Sequence, residues 1–109
     1  MSFTIIDWNI EEMTGYKPIT SFYRDFSIAD KFGKSAILDT YKGIEKNLKS
    51  LHYTYITELT MVLNWKIWQH YEKDDSIARL YNDLWQKMCM YVEENFNEDE
   101  LKYYYRTTD

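Results

Sequence analysis

The sequence predicts an all-α protein, a compact single domain that spans residues 1–109. Only 3 Gly and 1 Pro are present, so tight turns are scarce and long helices are favoured over a many-stranded sheet. Apolar residues also recur at helical spacing in three long segments. Aromatic residues make up 18% of the chain and give a small domain a sizeable core. We therefore expect a bundle of three longer helices with short flanking helices and an extended N-terminal segment.

The N-terminal segment, residues 1–18, precedes a helical body over residues 19–109. The β-branched run at residues 4–6 favours either a short strand or extended packing across helices. Asp7 or Asn9 is placed to cap a short helix over residues 10–13, which Gly15 closes. Pro18 disfavours helix in the residue before it, so residues 16–19 are predicted to form a loop.

Two helices are predicted between residues 27 and 51. Ser27 with Asp30 matches a capping pattern and opens a short helix to Phe32, which Gly33 ends. A longer helix then begins at Ser35. Gly43 inside that helix weakens it by about 1 kcal/mol relative to Ala. Its apolar face consists of Ile37, Tyr41, Ile44, Leu48 and Leu51.

The segment 53–73 is the most apolar of the chain and is predicted to be the central helix, because a helix that is apolar on most sides is normally buried by its neighbours. It carries two stripes at helical spacing. One stripe contains Tyr55, Leu59, Val62, Lys66 and Ile67, and the other contains Met61, Trp65, Trp68 and Glu72.

A third long helix is capped by Asp74 or Asp75 and buries a face formed by Ile77, Leu80, Tyr81, Leu84, Met88, Tyr91 and Val92. Residues 97–100 repeat the capping pattern and start a last short helix, with Leu101, Tyr104 and Tyr105 on one side. The predicted core of the domain comprises Ile37, Tyr41, Ile44, Leu48, Leu59, Val62, Leu63, Trp68, Ile77, Leu80, Leu84, Trp85 and Met88.

Composition indicates in which cellular compartment the protein is expected. The sequence has no apolar run near the roughly 18 residues of a membrane span and no secretory signal at its start, so no membrane association is expected. The single Cys89 excludes an intramolecular disulfide and favours a reducing, cytoplasmic setting. Cys89 lies between two methionines, as expected for a buried, unreactive thiol.

No motif in the sequence specifies a reaction. His70 and Asp74 have the spacing of two metal ligands on one helix face, but Glu72 does not share that face. A histidine beside acids at a helix C-terminus is usually a favourable arrangement of charges. The sequence also has no glycine-rich phosphate loop. We therefore expect no enzyme activity, no metal and no cofactor.

The formal net charge of −5 disfavours nucleic acid as the partner, because phosphate neutralisation dominates nucleic-acid affinity. The charge is uneven along the chain: residues 31–49 carry five lysines against two acids, and residues 90–109 carry six acids against two bases. This distribution predicts a basic stripe and an acidic end.

The basic stripe raises the question of a helix-turn-helix DNA reader. Residues 28–29 and 32–33 resemble its first helix and turn, but Lys34 and Asp39 stand where the second helix needs apolar residues. The alternative function is therefore that of a small DNA-binding transcription regulator that uses the lysine-bearing helix over residues 34–49. The residues that would carry it are Lys34, Lys42, Lys46 and Lys49.

The acidic end is the preferred candidate for a partner-binding surface. Three consecutive tyrosines at residues 103–105 cannot all face one core, and exposed Tyr and Arg beside acids are typical of protein interfaces. The competing interpretation is that these acids only cap and solvate two helix ends. The candidate residues are Glu93, Glu94, Glu98, Asp99, Glu100, Tyr103, Tyr104 and Arg106.

Several runs of the chain resemble a group of short proteins encoded on conjugative elements, plasmids and phages of Gram-positive gut bacteria. These runs are DFSIADKFG at 25–33, AI at 36–37, DTYK at 39–42, Leu59 with VLNWKIWQHY at 62–71, and YRTTD at 105–109. Residues 1–18 carry no part of the resemblance. It implies no catalytic residue and gives only a context, the cytoplasm of a host bacterial cell, in which small acidic proteins of mobile elements often counter host defence. A host protein, such as a CRISPR or restriction nuclease, is therefore the expected partner.

Overall fold

The computed structural model describes residues 19–108, with side chains from residue 22 onward, and folds them into five α-helices without a strand. The helices are α1 (Ile19–Asp30), α2 (Lys34–Glu45), α3 (Tyr53–His70), α4 (Asp75–Asn95) and α5 (Glu98–Thr108), with a 3-10 turn at Leu48–Ser50 between α2 and α3. The all-α prediction is confirmed. The strand and cap predictions, and the loop prediction as far as residue 18, lie outside the described residues. Ile19, which was predicted to end that loop, instead begins α1.

Helix α3 lies at the centre of the bundle. It packs most extensively against α4 and also contacts α1 and α5, as the apolar segment 53–73 predicted. Its buried side includes Leu59, Val62 and Leu63, which solvent does not reach. The helix ends at His70, three residues before the end of the predicted segment.

Helix α1 differs from the sequence prediction. Ser27 does not open a helix, because it lies inside one that runs from Ile19 to Asp30. The buried side of this helix is formed by Phe22, Phe26 and Ala29, which recur at helical spacing. The chain leaves α1 through a turn that ends at Gly33, whose φ of 100° falls in the left-handed region that favours glycine.

Helix α2 is shorter than predicted. It ends at Glu45, because the chain passes into the 3-10 turn at Leu48–Ser50. The Asn47 side chain donates a hydrogen bond of 3.2 Å to the Gly43 carbonyl, in competition with the regular backbone pattern. Leu48 is nevertheless buried and Leu51 half-buried, so both contact the core through the turn.

The start of α4 and the start of α5 carry the predicted caps. Asp74 Oδ1 accepts hydrogen bonds from the backbone N–H groups of Ser76 (3.1 Å) and Ile77 (3.2 Å). At α5, the Asn97 side chain accepts from the Glu100 N–H at 2.9 Å, and the Glu100 carboxylate accepts from the Asn97 N–H at 3.0 Å. The capping pattern at residues 97–100 therefore forms as predicted.

The predicted core is right for nine of its members, which are buried: Ile37, Tyr41, Ile44, Leu48, Leu59, Val62, Leu63, Leu84 and Met88. Ile77, Leu80 and Trp85 are half-buried and pack against these residues. Trp68 was placed in the core wrongly, because 66% of its surface is exposed. Trp68 follows the buried Lys66 by two residues, and two residues rotate a helix by about 200°, which turns Trp68 to the outer side of α3.

Candidate functional site

The predicted acidic end forms an exposed corner where α4 meets α5. Glu93 and Glu94 lie in the last turn of α4, and Glu98 and Asp99 lie in the first turn of α5. All four side chains are exposed, and we call these four residues the acidic corner. Among the described residues, Lys102 forms an ion pair with Glu98 at 3.9 Å, with both side chains largely in solvent. Exposed pairs of this kind contribute little to stability.

The two halves of the acidic corner stand at opposite helix ends. The N-terminus of a helix carries partial positive charge, so Glu98 and Asp99 stabilise α5 where they stand. The C-terminus carries partial negative charge, so Glu93 and Glu94 lie where acids are disfavoured, and no basic residue is found in that turn. Helix stability therefore explains the α5 acids and leaves the α4 acids unexplained.

The other predicted residues of this end divide between the surface and the core. Glu100 is half-buried and is engaged in the capping box, and Arg106 is exposed. Tyr103 is half-buried and packs edge-to-face on Tyr53, with ring centroids 5.2 Å apart. Tyr104 is a core residue, because its ring is buried and packs edge-to-face on Phe96. The exposed tyrosine of the run is Tyr105, as the rotation between neighbouring helix positions requires.

The Tyr104 hydroxyl lies 3.6 Å from the Cys89 sulfur in the half-buried layer between α4 and α5. Burial raises the pKa of the Cys89 thiol above its usual value of 9.0. The neutral thiol is therefore the stable form at neutral pH, although Cys89 is half-buried and not buried as the sequence predicted.

The lysines of the alternative nucleic-acid surface are exposed. Lys34 begins α2, Lys42 lies in its last turn, and Lys46 and Lys49 follow it. The acids Asp39 and Glu45 are exposed on the same helix. The basic stripe is therefore interrupted by negative charge along α2.

A buried polar cluster, which the sequence analysis missed, joins α1 to α3. Lys66 is 0% exposed, and its ammonium donates to Ser27 Oγ at 2.7 Å and to Asp30 Oδ2 at 2.8 Å. The same ammonium lies 4.5 Å from the centroid of the Tyr23 ring, a cation–π contact. The Lys66 ammonium thus has two hydrogen-bond acceptors and one aromatic ring as partners.

Asp30 is the centre of this cluster. Besides Lys66, its carboxylate accepts a hydrogen bond from the Tyr81 hydroxyl of α4 and lies 3.1 Å from His70 Nε2. The His70 ring stacks on the Tyr81 ring, with centroids 5.6 Å apart. An acid at the end of α1 is disfavoured by the helix dipole, and the basic and hydroxyl groups of α3 and α4 compensate for it. The cluster therefore fastens the end of α1 to two other helices.

The same contacts account for the residues with metal-ligand spacing. His70 faces Asp30, and Asp74 caps α4, so the two do not share a site. Within residues 19–108, no group of three or more His, Cys, Asp or Glu side chains is arranged to hold a metal ion.

The outer side of α3 carries large aromatic side chains in solvent. Trp65 is 45% exposed, Trp68 66% and Tyr71 59%. The Trp68 and Tyr71 rings lie 5.5 Å apart, and Trp65 precedes Trp68 by one helical turn. We call these three residues the aromatic face. The sequence signal for it was the second stripe of the central helix, which contains Met61, Trp65 and Trp68.

An open groove of about 670 Å³ runs between α1 and α2. Phe22, Ile28 and Ile44 supply apolar walls, and Asp25 and Asp39 bring carboxylates to it. The groove involves neither the acidic corner nor the aromatic face.

Fold and surface together define a small all-α protein with an acidic corner and an aromatic face. Comparison of the chain with protein-family models, with curated proteins and with solved structures finds no match in any of the three. Across the described part of the chain, every helix is too short or too polar to cross a membrane.

Proposed function

We propose that this protein acts by binding another protein and that it counters a host defence nuclease, such as a CRISPR effector, through its acidic corner. The partner surface in this proposal is the basic channel that holds nucleic acid. Such channels are lined with Lys and Arg, and a compact acidic body competes with nucleic acid for them.

The observation that carries the proposal is the position of Glu93 and Glu94. Both side chains are exposed in the last turn of α4, where the helix dipole disfavours negative charge. Proteins keep stability-reducing groups at functional sites more often than elsewhere. Two acids that weaken their own helix, beside two exposed acids on α5, are therefore better explained by binding than by folding.

The resemblance to proteins of mobile genetic elements supports the same class of target, because such elements meet host nucleases when they enter a cell. The net charge of −5 supports a basic partner, since the whole field of the protein steers it towards positive surfaces.

The proposal is tested with a purified CRISPR effector loaded with guide RNA, a labelled target DNA and increasing amounts of this protein. We expect DNA binding and cleavage to fall as the protein is added, and the inhibition to weaken as salt is raised. The variant Glu93→Lys/Glu94→Lys should lose inhibition by at least about tenfold, because close like charges across an interface cost more than 1.4 kcal/mol.

The matched control is Asp39→Lys/Asp83→Lys, which changes the net charge by the same amount at exposed positions on α2 and α4. This control should keep inhibition, and the Glu93→Lys/Glu94→Lys variant should be no less stable than the wild type, because lysine suits a helix C-terminus. Equal loss of inhibition in both variants would show that the inhibition depends on net charge and not on the acidic corner. No inhibition by the wild type, or full inhibition by Glu93→Lys/Glu94→Lys, would contradict the proposal.

A second candidate, DNA binding, is favoured by one observation. Helices α1 and α2 are joined by a three-residue turn that ends at Gly33, and α2 begins with an exposed lysine. With its first helix running from Ile19 to Asp30, this arrangement resembles a helix-turn-helix more closely than the predicted one, whose first helix began only at Ser27. Here Lys42→Glu/Lys46→Glu/Lys49→Glu should abolish retention on DNA at low salt, and absence of retention by the wild type would eliminate this candidate.

A further inference from the structure

We propose that two copies of the chain pair through the aromatic face of α3, with the two helices antiparallel and a two-fold axis passing beside Trp68. The inference rests on residues Asn64 to Glu72 and does not depend on the acidic corner. It identifies the occupant of the aromatic face as a second copy of the same chain.

The first argument is exposed area. Aromatic residues bury roughly 150–250 Å² each, so the exposed fractions of Trp65, Trp68 and Tyr71 leave roughly 350 Å² of their surface per copy in water. Contiguous apolar patches of a few hundred Å² or more mark interaction sites. A specific interface buries about 800 Å² per partner, so the three rings supply less than half of that area and their polar neighbours must supply the rest.

The second argument is that the face is complementary to itself. Its three rings are evenly spaced: Trp65 lies three residues before Trp68, and Tyr71 lies three residues after it. An antiparallel pair centred on Trp68 therefore brings Trp65 of one copy to Tyr71 of the other, twice. Self-complementarity is what a two-fold interface requires.

The polar neighbours follow the same symmetry. Asn64 stands four residues before Trp68 on α3, and Glu72 stands four residues after it, in the turn that follows the end of α3 at His70. In the antiparallel pair, the Asn64 amide of one copy meets the Glu72 carboxylate of the other, so a donor faces an acceptor at each end of the ring cluster. These contacts form the polar rim of the interface.

The third argument is charge. Two copies of an acidic protein repel each other unless their acids are far apart or screened. Between Asn64 and Tyr71 the exposed side chains are uncharged, since Lys66 is buried against Asp30. Tyr53 at the start of α3 packs on Phe96 beside the acidic corner. Trp68 lies 15 residues further along, or about 22 Å, which exceeds the roughly 8 Å screening length of physiological salt.

The proposal is tested by sedimentation of the purified chain at protein concentrations from about 1 µM to about 1 mM, which bracket a micromolar dissociation constant. We expect the mass to rise from the monomer value of 13.4 kDa to twice that value. A monomer at every concentration, or a larger assembly that does not close at two copies, would overturn it.

Trp68→Glu places two carboxylates at the two-fold axis and should abolish dimerisation. The control Tyr105→Glu changes another exposed aromatic residue, on α5, and should leave the dimer intact. Both variants should keep the helical circular-dichroism spectrum and unfold as the dilute wild type does. A dimer that survives Trp68→Glu would overturn the proposal, as would a large loss of monomer stability, because the chain itself would then cover this face.

The register is tested by a charge pair. Tyr71→Glu alone should weaken dimerisation by about tenfold or more, because it leaves a desolvated carboxylate against the Trp65 ring of the other copy. The double variant Trp65→Lys/Tyr71→Glu should recover much of that loss, because position 65 of one copy faces position 71 of the other. Absence of any recovery would contradict the antiparallel register.

Discussion

Two neighbouring positions of α3 reverse the usual relation between polarity and burial. Lys66 is fully buried, whereas Trp68, two residues further along, is 66% exposed. Lysine is almost never fully buried unless it is paired, and tryptophan is highly buried on average. The inner side of α3 thus contains a charge, and its outer side contains the largest apolar side chain.

The difference lies in the partners that each side of the helix meets. The Lys66 ammonium finds Ser27, Asp30 and the face of the Tyr23 ring, so its charge is compensated although it is buried. Trp68 faces away from α1 and α4, and its one aromatic contact within the described chain is with Tyr71. Tertiary partners, and not hydrophobicity alone, decide which side of α3 is covered.

The largest expected effect comes from removing the buried charge. Lys66→Met keeps the aliphatic volume but leaves Asp30 without its ammonium partner. Removing one member of a buried ion pair costs about 3–5 kcal/mol, and we expect the free energy of unfolding to fall by that amount. Urea unfolding followed by circular dichroism measures it, at equal and low protein concentration so that association does not contribute.

The control for this prediction is Lys66→Met/Asp30→Asn, which also removes the negative charge that Lys66→Met leaves without its ammonium partner. The double variant should recover part of the lost stability, because neutral groups are cheaper to bury than an unpaired charge. A loss below about 1 kcal/mol in Lys66→Met would mean that the pair contributes no more than a surface salt bridge.

Local patterns in the sequence predicted much of this fold. The central helix, the Asp74 cap and the Asn97 capping box depend on residues within four positions of one another, and all three form. The buried cluster depends on pairs that are 36 to 51 residues apart, such as Asp30 with Lys66 and with Tyr81. A pattern in one segment carries no information about such pairs, so Ser27 and Asp30 were interpreted as a helix cap.

In the candidate surfaces, too, the sequence predicted the local features but not those that depend on distant residues. Charge counting placed exposed acids at Glu93, Glu94, Glu98 and Asp99, because acids at helix ends stay in water. It could not separate Tyr104 from Tyr105, since the side of α5 that turns inward depends on where Phe96 and Cys89 lie. The aromatic face was missed for a similar reason: a stripe of rings predicts an apolar helix side but not what covers it.

A smaller loss of stability than in Lys66→Met is expected when the Tyr81 hydroxyl is removed. Tyr81→Phe keeps the ring that stacks on His70 but removes the hydrogen bond that its hydroxyl donates to Asp30. Hydrogen bonds to charged groups contribute about 1.5–3 kcal/mol, so at pH 7 we expect a loss of about 2 kcal/mol in the free energy of unfolding. A loss under about 0.5 kcal/mol would show that Lys66 and His70 alone compensate Asp30.

The same variant has a pH signature. Burial, and then the hydrogen bond to Asp30, raise the pKa of the Tyr81 phenol well above its usual value of 10.0. Above pH 10 the unfolded chain loses this proton while the folded chain keeps it, so wild-type stability falls by up to about 1.4 kcal/mol per pH unit through this group. Tyr81→Phe lacks this loss, so the gap between the two proteins should narrow from pH 10 upward. A constant gap between pH 9 and pH 11 would contradict the raised pKa.

The smallest change in the free energy of unfolding is expected for Trp68, the exposed residue in the comparison with Lys66. Trp68→Ser removes a large ring that is mostly in water already, so in dilute monomer the free energy of unfolding should change by less than about 0.5 kcal/mol. The matched control is Trp85→Ser, the same substitution at a half-buried tryptophan that packs against the core, where we expect a loss of about 2 kcal/mol. Thermal unfolding of both variants at the same low concentration distinguishes them. If Trp68→Ser costs as much as Trp85→Ser, the outer side of α3 is covered within a single chain, and the contrast between Lys66 and Trp68 does not hold.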